Sequence, residues 1–243
     1  MGFELTYQPY SERSILIEWP QKIDQNILFD ILDFKKTLQN SNIKQILQIN
    51  NTYSSILVYY KYTIDNIYNE ISTLKSQYDS KISSKSNGIK RWKIPVCYDD
   101  QFASDLEQIL IEKQCSKSQI IKWHTKPIYT VFFIGFLPGF LYLGGLDKRL
   151  YFQRKNKPRM KVEKGAVGIG DFQTGIYPNS SPAGWNIIGN SPLEFFNMNV
   201  NPPCFATAGD QVKFYPVDLD QYYDIKKRVI SGEFKLEMEI IHG

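Results

Sequence analysis

Tyr129 to Leu150 reads YTVFFIGFLPGFLYLGGLDKRL, and Lys164 to Gly189 reads KGAVGIGDFQTGIYPNSSPAGWNIIG. Ten glycines fall between Tyr129 and Gly189, spaced like turns between aromatic and aliphatic runs. Glycine costs backbone entropy on folding. It is expected where φ must be positive or where another group comes close to the main chain. Such a density points to tightly turned β-structure, to a ligand-facing surface, or to both.

Short strand-like runs with Gly, Pro and Asn turns continue around this stretch, at 129–135, 165–170, 185–189 and 210–215. This rhythm suits a small β-barrel or sandwich. Two capping boxes precede it. Ser104–Glu107 opens a helix to about Lys113, and Ser116–Gln119 opens a shorter one ending near His124. A helix over 219–230 and the strand-like FKLEMEII follow.

The first third has a different grain. SILIEW (Ser14–Trp19) alternates apolar and polar residues as a strand does. A helix runs from Asp24 to about Gln39, with Ile27, Leu28, Ile31, Leu32 and Leu38 at helical spacing. Strand-like runs follow at Ile43–Ile49 and Ser54–Tyr62, then an amphipathic helix from Ile64 to Tyr78. Asp79–Lys90 reads as a Ser/Lys-rich linker and Arg91–Tyr98 as a closing strand. The order βαββαβ is that of a ferredoxin-like unit. We expect a small α+β domain over 1–90 and a mostly-β barrel domain over 91–243.

Composition narrows the classes. Hydrophobic residues make up 42% of the 243, enough to bury a core, so disorder is not expected. A net charge of +4 with scattered lysines does not argue for nucleic acid. Three separated cysteines and no CxxC fit a reducing, cytoplasmic setting better than a disulfide framework. No apolar run approaches the roughly 18 residues of a membrane span, and the N-terminus has no apolar core of a signal peptide.

GAVGIGDFQTG lacks the Gly-Lys-Ser/Thr of a phosphate-binding P-loop and has no βαβ frame for a dinucleotide. On spacing alone, glycines at barrel hairpin turns account for it better. With only His124 and His242 in the chain, a multi-histidine metal site is excluded and no metal site is assigned. His124 is the candidate acid–base imidazole, or else a helix C-terminal cap. Arg154, Lys155, Lys157, Arg159, Lys161 and Lys164 form a basic run, either a solvated loop or a site for phosphate or carboxylate. Asp171 is the aspartate to test among those beside turns. Phe136, Pro138, Phe140 and Tyr142 are either core or a partner interface.

The run H-x4-Y-x-V-x3-GF-x-PGF-x-YLGGLD (His124–Asp147) is followed by Pro158-Arg159, G-x-VGIG-x-x-QTGIYP, S-P-x-GW and IIG. Together these resemble the allophanate hydrolase subunit 1/KipI family, and most its 5-oxoprolinase B-subunit (PxpB) branch. IPVCY, the SKSQIIKWH helix and GDQVKFYPV are similar to the family as well. The resemblance implies a cyclophilin-like barrel behind the α+β domain. It implies one component of an ATP-dependent 5-oxoprolinase complex that converts 5-oxoproline to glutamate, with ATP and its Mg shared with the partner. The partners implied are a KipA-like protein (the C subunit) and a LamB/YcsF-like protein (the A subunit), and the chain alone would be inactive. Alternatives within the family are a KipI-like inhibitor of a sensor histidine kinase and a carboxyltransferase or allophanate hydrolase-type subunit. The resemblance makes His124 and Arg159 catalytic candidates. Gly168, Gly170, Gln173, Thr174, Gly175 and Lys155 become substrate or phosphate contacts, with amides of the glycine turns as oxyanion donors. The chain departs from the family pattern at Glu163, Lys164, Ala166, Asp171, Ala183, Asn190 and Ser191, which bears on substrate identity.

Overall fold

A computed structural model of the chain describes residues 2–41, 43, 45–81 and 88–242. It divides into two compact units, Met1–Asn87 and Gly88–Gly243. Among the described residues no helix is long and apolar enough to cross a membrane.

The first unit holds β1 (Thr6–Ser11), β2 (Ser14–Glu18), α1 (Gln25–Asn40), β3 (Ile46–Asn51), β4 (Ser55–Tyr60) and α2 (Ile67–Asp79). Its strands form an antiparallel sheet in the order β1-β2-β4-β3. Asp24 caps α1 by accepting the Asn26 N–H at 2.7 Å. The helix buries Ile27, Leu28, Ile31, Phe34 and Leu38 with Ile15, Ile17, Ile56 and Val58 of the sheet. Asp30 gathers the Trp19 indole N–H at 2.8 Å, the Tyr78 hydroxyl at 2.7 Å and the Lys81 ammonium at 2.6 Å. It thereby ties α1 to α2.

The order is therefore ββαββα, which corrects the expected βαββαβ at its last strand. The run read as that strand is β5 (Ile89–Cys97), and it belongs to the second unit. The fourth strand of the small sheet is β1, mostly exposed along its length. The residues of β5 are buried on both faces at its C-terminal end. That is the mark of an enclosed strand rather than of one with a wet face. Residues 82–87, the middle of the expected linker at 79–90, lie outside the described residues.

The second unit continues with α3 (Leu106–Lys113), α4 (Lys117–Thr125), β6 (Tyr129–Ile134), β7 (Leu141–Gly144), β8 (Arg159–Val162), β9 (Ala166–Gly170), β10 (Gln173–Ile176), β11 (Ser181–Ala183), β12 (Asn186–Asn190), β13 (Gln211–Val217), α5 (Leu219–Ile230) and β14 (Met238–Ile241). Strands β12-β9-β10-β7-β6-β13-β5 follow one another, and the β12–β5 pairing closes them into a barrel of seven. Closure rests on one register pair, Asn190↔Cys97. Beside it, a Cβ on Gly189 would stand 2.6 Å from the Cys97 carbonyl. β14 lies against the N-terminal part of β5, and β8 pairs with β11 in a separate two-stranded ribbon.

Gly168 and Gly170 lie within β9 and Gly175 within β10. Each of these strands has neighbours on both sides. The expectation of oxyanion-binding turns is corrected here: these glycines sit within paired strands, and their bare faces admit aromatic rings. A Cβ on Gly170 would lie 2.5 Å from the Trp185 indole, and one on Gly175 would lie 2.9 Å from the Phe140 ring.

His124 crosslinks α4 to this barrel and is fully buried. The Thr174 hydroxyl donates to the Gly168 carbonyl at 2.9 Å. Its oxygen is then free to accept from His124 Nε2–H at 3.1 Å. That tautomer leaves Nδ1 to accept the Tyr98 hydroxyl at 2.7 Å. The Tyr129 hydroxyl donates to the His124 carbonyl at 2.8 Å, and Phe214 stacks on the imidazole at 4.6 Å. Burial lowers the His124 pKa from 6.5 to about 3 and holds the Tyr98 phenol well above its ordinary value.

Two outcomes follow. The unfolded chain protonates His124 below pH 6.5 and the folded chain only near 3. The stabilisation is therefore complete above pH 6.5 and falls as pH drops from there. Between pH 7.5 and 5.0 the wild type should lose about 2 kcal/mol more than His124→Gln, measured by urea unfolding. Gly170→Ala should displace the Trp185 ring and cost about 1–3 kcal/mol by overpacking, read from near-UV circular dichroism and the urea midpoint.

Candidate functional site

The β6–β7 loop carries Gly135–Phe140 and is closed by Gly135 N–H to the Phe140 carbonyl at 3.2 Å and Phe140 N–H to the Leu137 carbonyl at 3.0 Å. Gly139 has φ +85, and a Cβ there would stand 2.6 Å from Phe196 Cβ. Phe136 also lies in the left-handed region, at φ 62. A bulky residue there costs roughly 1–3 kcal/mol, and such strain gathers at ligand clamps. The conformation leaves the Phe136 ring 65% exposed, edge-on to Phe140.

Phe140 itself is buried, at 1% exposure. Of the residues expected at a partner interface it is the one turned inward, because the bare face of Gly175 accepts its ring. It packs edge-on against Tyr177 at 4.9 Å and Trp185 at 5.5 Å. Tyr142 meets Trp185 at 5.8 Å and stacks on Phe133 at 4.2 Å. Phe136, Phe140, Tyr142, Tyr177 and Trp185, with Pro158 just before β8 and Pro182 within β11, line a cleft of about 240 Å³. Burial raises the Tyr142 phenol, with Arg154 opposing. Burial also pushes Tyr177 up to about 12, against a hydrogen bond from the Trp185 backbone.

The basic run separates into two kinds of cation. Lys155 Nζ and Arg159 Nη2 both reach Asp105 Oδ1, at 2.7 and 2.6 Å. Arg159 Nη1 donates to Ser104 Oγ at 2.7 Å. Asp105 is only 4% exposed, and its second oxygen accepts the Ile187 N–H at 2.6 Å. The anion expected at Lys155 and Arg159 is thus supplied by the chain itself. For the same reason no capping box forms at Ser104: α3 starts after Asp105 without a side-chain cap. Lys161 and Lys164 face Glu163 and Glu194. Arg154 has no carboxylate at ion-pair distance among the described residues, and it lines the aromatic cleft. Its guanidinium lies 3.6 Å from where a Cβ on Gly184 would be.

The structure thus brings Phe136, Phe140 and Tyr142 together with Tyr177, Trp185 and Arg154. His124 and Thr174 are held in the barrel interior, and Gln173 sits where β10 begins, paired with Gly170. Asp171 forms the β9–β10 turn at φ 56 and exchanges backbone hydrogen bonds with Phe152. Asn190, where the family pattern has arginine, donates to the Lys164 carbonyl and accepts the Tyr222 hydroxyl, each at 2.9 Å. Asp105 went unassigned in the sequence, and Arg154 stood only as one cation of the basic run, because charge counting does not say which cation meets which acid. Trp185 and Tyr177 were visible only as letters of the GW and GIYP motifs.

Asp105→Asn keeps an acceptor for Ile187 but removes the counter-charge of two cations. It should cost about 3 kcal/mol, the low end for breaking a buried pair, since both cations retain some water. A urea midpoint at pH 7 checks this.

The B subunit of 5-oxoprolinase from Bacillus subtilis (strain 168) is 44% identical over 135 residues, 56% of this chain and 56% of that protein. The Haemophilus influenzae protein of the same name is 47% identical over 122 residues, 50% of this chain and 57% of that one. The chain thus spans little more than half the length of these curated relatives. The Kluyveromyces lactis urea amidolyase structure superposes with a TM-score of 0.83 at 21% identity, over 98% of this chain and 16% of that one, which shows a shared fold. A profile for the carboxyltransferase domain, subdomains C and D, matches residues 5–206. Most of the chain is spanned by that profile, and the chain belongs to this carboxyltransferase-domain family, which takes in the allophanate hydrolase subunit 1 proteins and the 5-oxoprolinase B-subunit proteins.

Proposed function

We propose that this chain is the B subunit of an ATP-dependent 5-oxoprolinase. It would open the lactam of 5-oxoproline to glutamate together with a KipA-like protein as the C subunit, and a LamB/YcsF-like protein as the A subunit. The observation that carries this reading is 44–47% identity to two bacterial proteins of that name. An aromatic cleft supports it, with a guanidinium at its wall that has no carboxylate partner among the described residues, since the substrate is a small ring bearing a carboxylate.

In this reading ATP supplies the driving force for opening a poorly electrophilic amide. Among the described residues no group of three His, Cys, Asp or Glu side chains could hold a metal ion. Magnesium would come with ATP, and it needs only one or two carboxylates beside the substrate phosphates and water. The chain's part is to bind and orient the lactam on rigid barrel strands and to exclude water with packed rings. His124 and Arg159 then act as positioning residues, one fixing β10 and the other fixing the loop that carries Arg154.

The test is 5-oxoproline-dependent ATP hydrolysis by this chain alone, by the chain with its KipA-like partner, and by all three proteins together. Activity is expected only in the assembled forms. A stable assembly that ignores 5-oxoproline, and instead carboxylates or hydrolyses a urea-type amide, would overturn the reading in favour of carboxyl transfer.

A further inference from the structure

Arg154 stands at a boundary. On one side is the aromatic cleft. On the other is a polar chamber of about 590 Å³ that also carries Glu112, Lys113, Lys155 and Asn186, with Glu112 beyond ion-pair distance of Arg154. Of its neighbours in the basic run, Lys155, Arg159, Lys161 and Lys164 each face a carboxylate of the chain, while Lys157 lines neither the cleft nor the chamber. The Arg154 fork is left to a ligand. A carboxylate or a phosphate matches this planar donor pair through two parallel N–H···O bonds.

The cleft limits what else the ligand can be. Its volume, about 240 Å³, is below the roughly 300–1,000 Å³ of sites for drug-sized molecules. Phe140, Trp185 and Tyr177 are at most 4% exposed, so the floor is fixed by packing rather than by side chains that would have to order on binding. Phe136, held out over the rim by a left-handed backbone, offers an aromatic edge from the open side. A flat, small, largely apolar ring fits between these surfaces. A phosphate-sized polyanion does not, because the floor has no cation.

We propose that this cleft is the binding site for a small cyclic amide acid, with Arg154 as the specificity residue that takes its carboxylate while the ring lies against Trp185 and Phe140. The proposal rests on the 5-oxoprolinase reading for the choice of ligand, and on cleft geometry for the place.

The experiment uses the full chain, 15N-labelled, titrated with 5-oxoproline and with 2-pyrrolidinone, the same ring without the carboxylate. 5-Oxoproline should shift the Trp185 indole N–H resonance saturably, and Arg154→Gln should weaken it about ten- to a hundredfold, the worth of a charge-assisted hydrogen-bond pair. 2-Pyrrolidinone should bind weakly and equally to both proteins. Arg154→Lys should recover part of the affinity, which a fold defect would not allow. Equal affinity of Arg154→Gln and wild type for 5-oxoproline, or a Trp185 resonance that never moves, would overturn the proposal. In the assembled enzyme the same variant should raise KM for 5-oxoproline more than it lowers kcat. An active complex whose KM ignores Arg154 sinks the cleft and keeps the 5-oxoprolinase reading. An inactive complex, with 5-oxoproline still bound through Arg154, sinks that reading and keeps the cleft.

Discussion

The indole of Trp185 lies across the bare backbone of β9, at a distance that no side chain on Gly170 would permit. Much of the site hangs on that approach. With Trp185 seated there, Phe140 and Tyr142 pack edge-on against it, and Phe140 in turn lies on the bare face of Gly175. The loop Gly135–Phe140 is anchored through Phe140, so the rim ring of Phe136 takes its position from the same contact. Gly170 of VGIG and Gly175 of QTG therefore act as absences of side chain, each shaped to a particular ring.

This explains what was legible in the residues and what was not. The α1 and α2 spacings, the Ser116 capping box and the short strands near 129, 165, 185 and 210 all appear in place, because period and cap chemistry are local. The strands at Leu141–Gly144 and Gln173–Ile176 escaped because each contains a glycine that reads as a turn until a ring is seen to need the space. β5 was assigned to the wrong sheet because its alternation is compatible with either one. What decides is the parallel partner β13, far away in sequence. The glycine count signalled close approach correctly. It could not say whether the group approaching was a substrate oxygen or the protein's own tryptophan.

Charge followed the same logic. A run of cations in one loop suggests a single anion site, but Asp105 converts two of them into structure. It holds the β8 end of the loop to the start of α3 and, through Ile187, to the start of β12. Such an internal counter-ion leaves the remaining guanidinium with a defined position and an unfilled fork. His124 has undergone a similar conversion. It is a neutral relay between two hydroxyls, and its chemistry is spent on holding β10, β5 and α4 in register.

The parallel pairing of β13 with β5 joins residues 120 apart in the chain, as in the Arg91–Gln211 contact. Contacts of such separation are slow to form, because the intervening loop must lose its entropy before any pairing rewards it. On a ribosome the hairpins of the small unit can pair within a few dozen residues of synthesis. The barrel must wait until β13 has left the exit tunnel. Every ring of the cleft is translated before the strand that encloses the barrel. In the interval the nascent chain presents Phe140, Tyr177 and Trp185 without their final frame, and this is the window in which a chaperone would act on it.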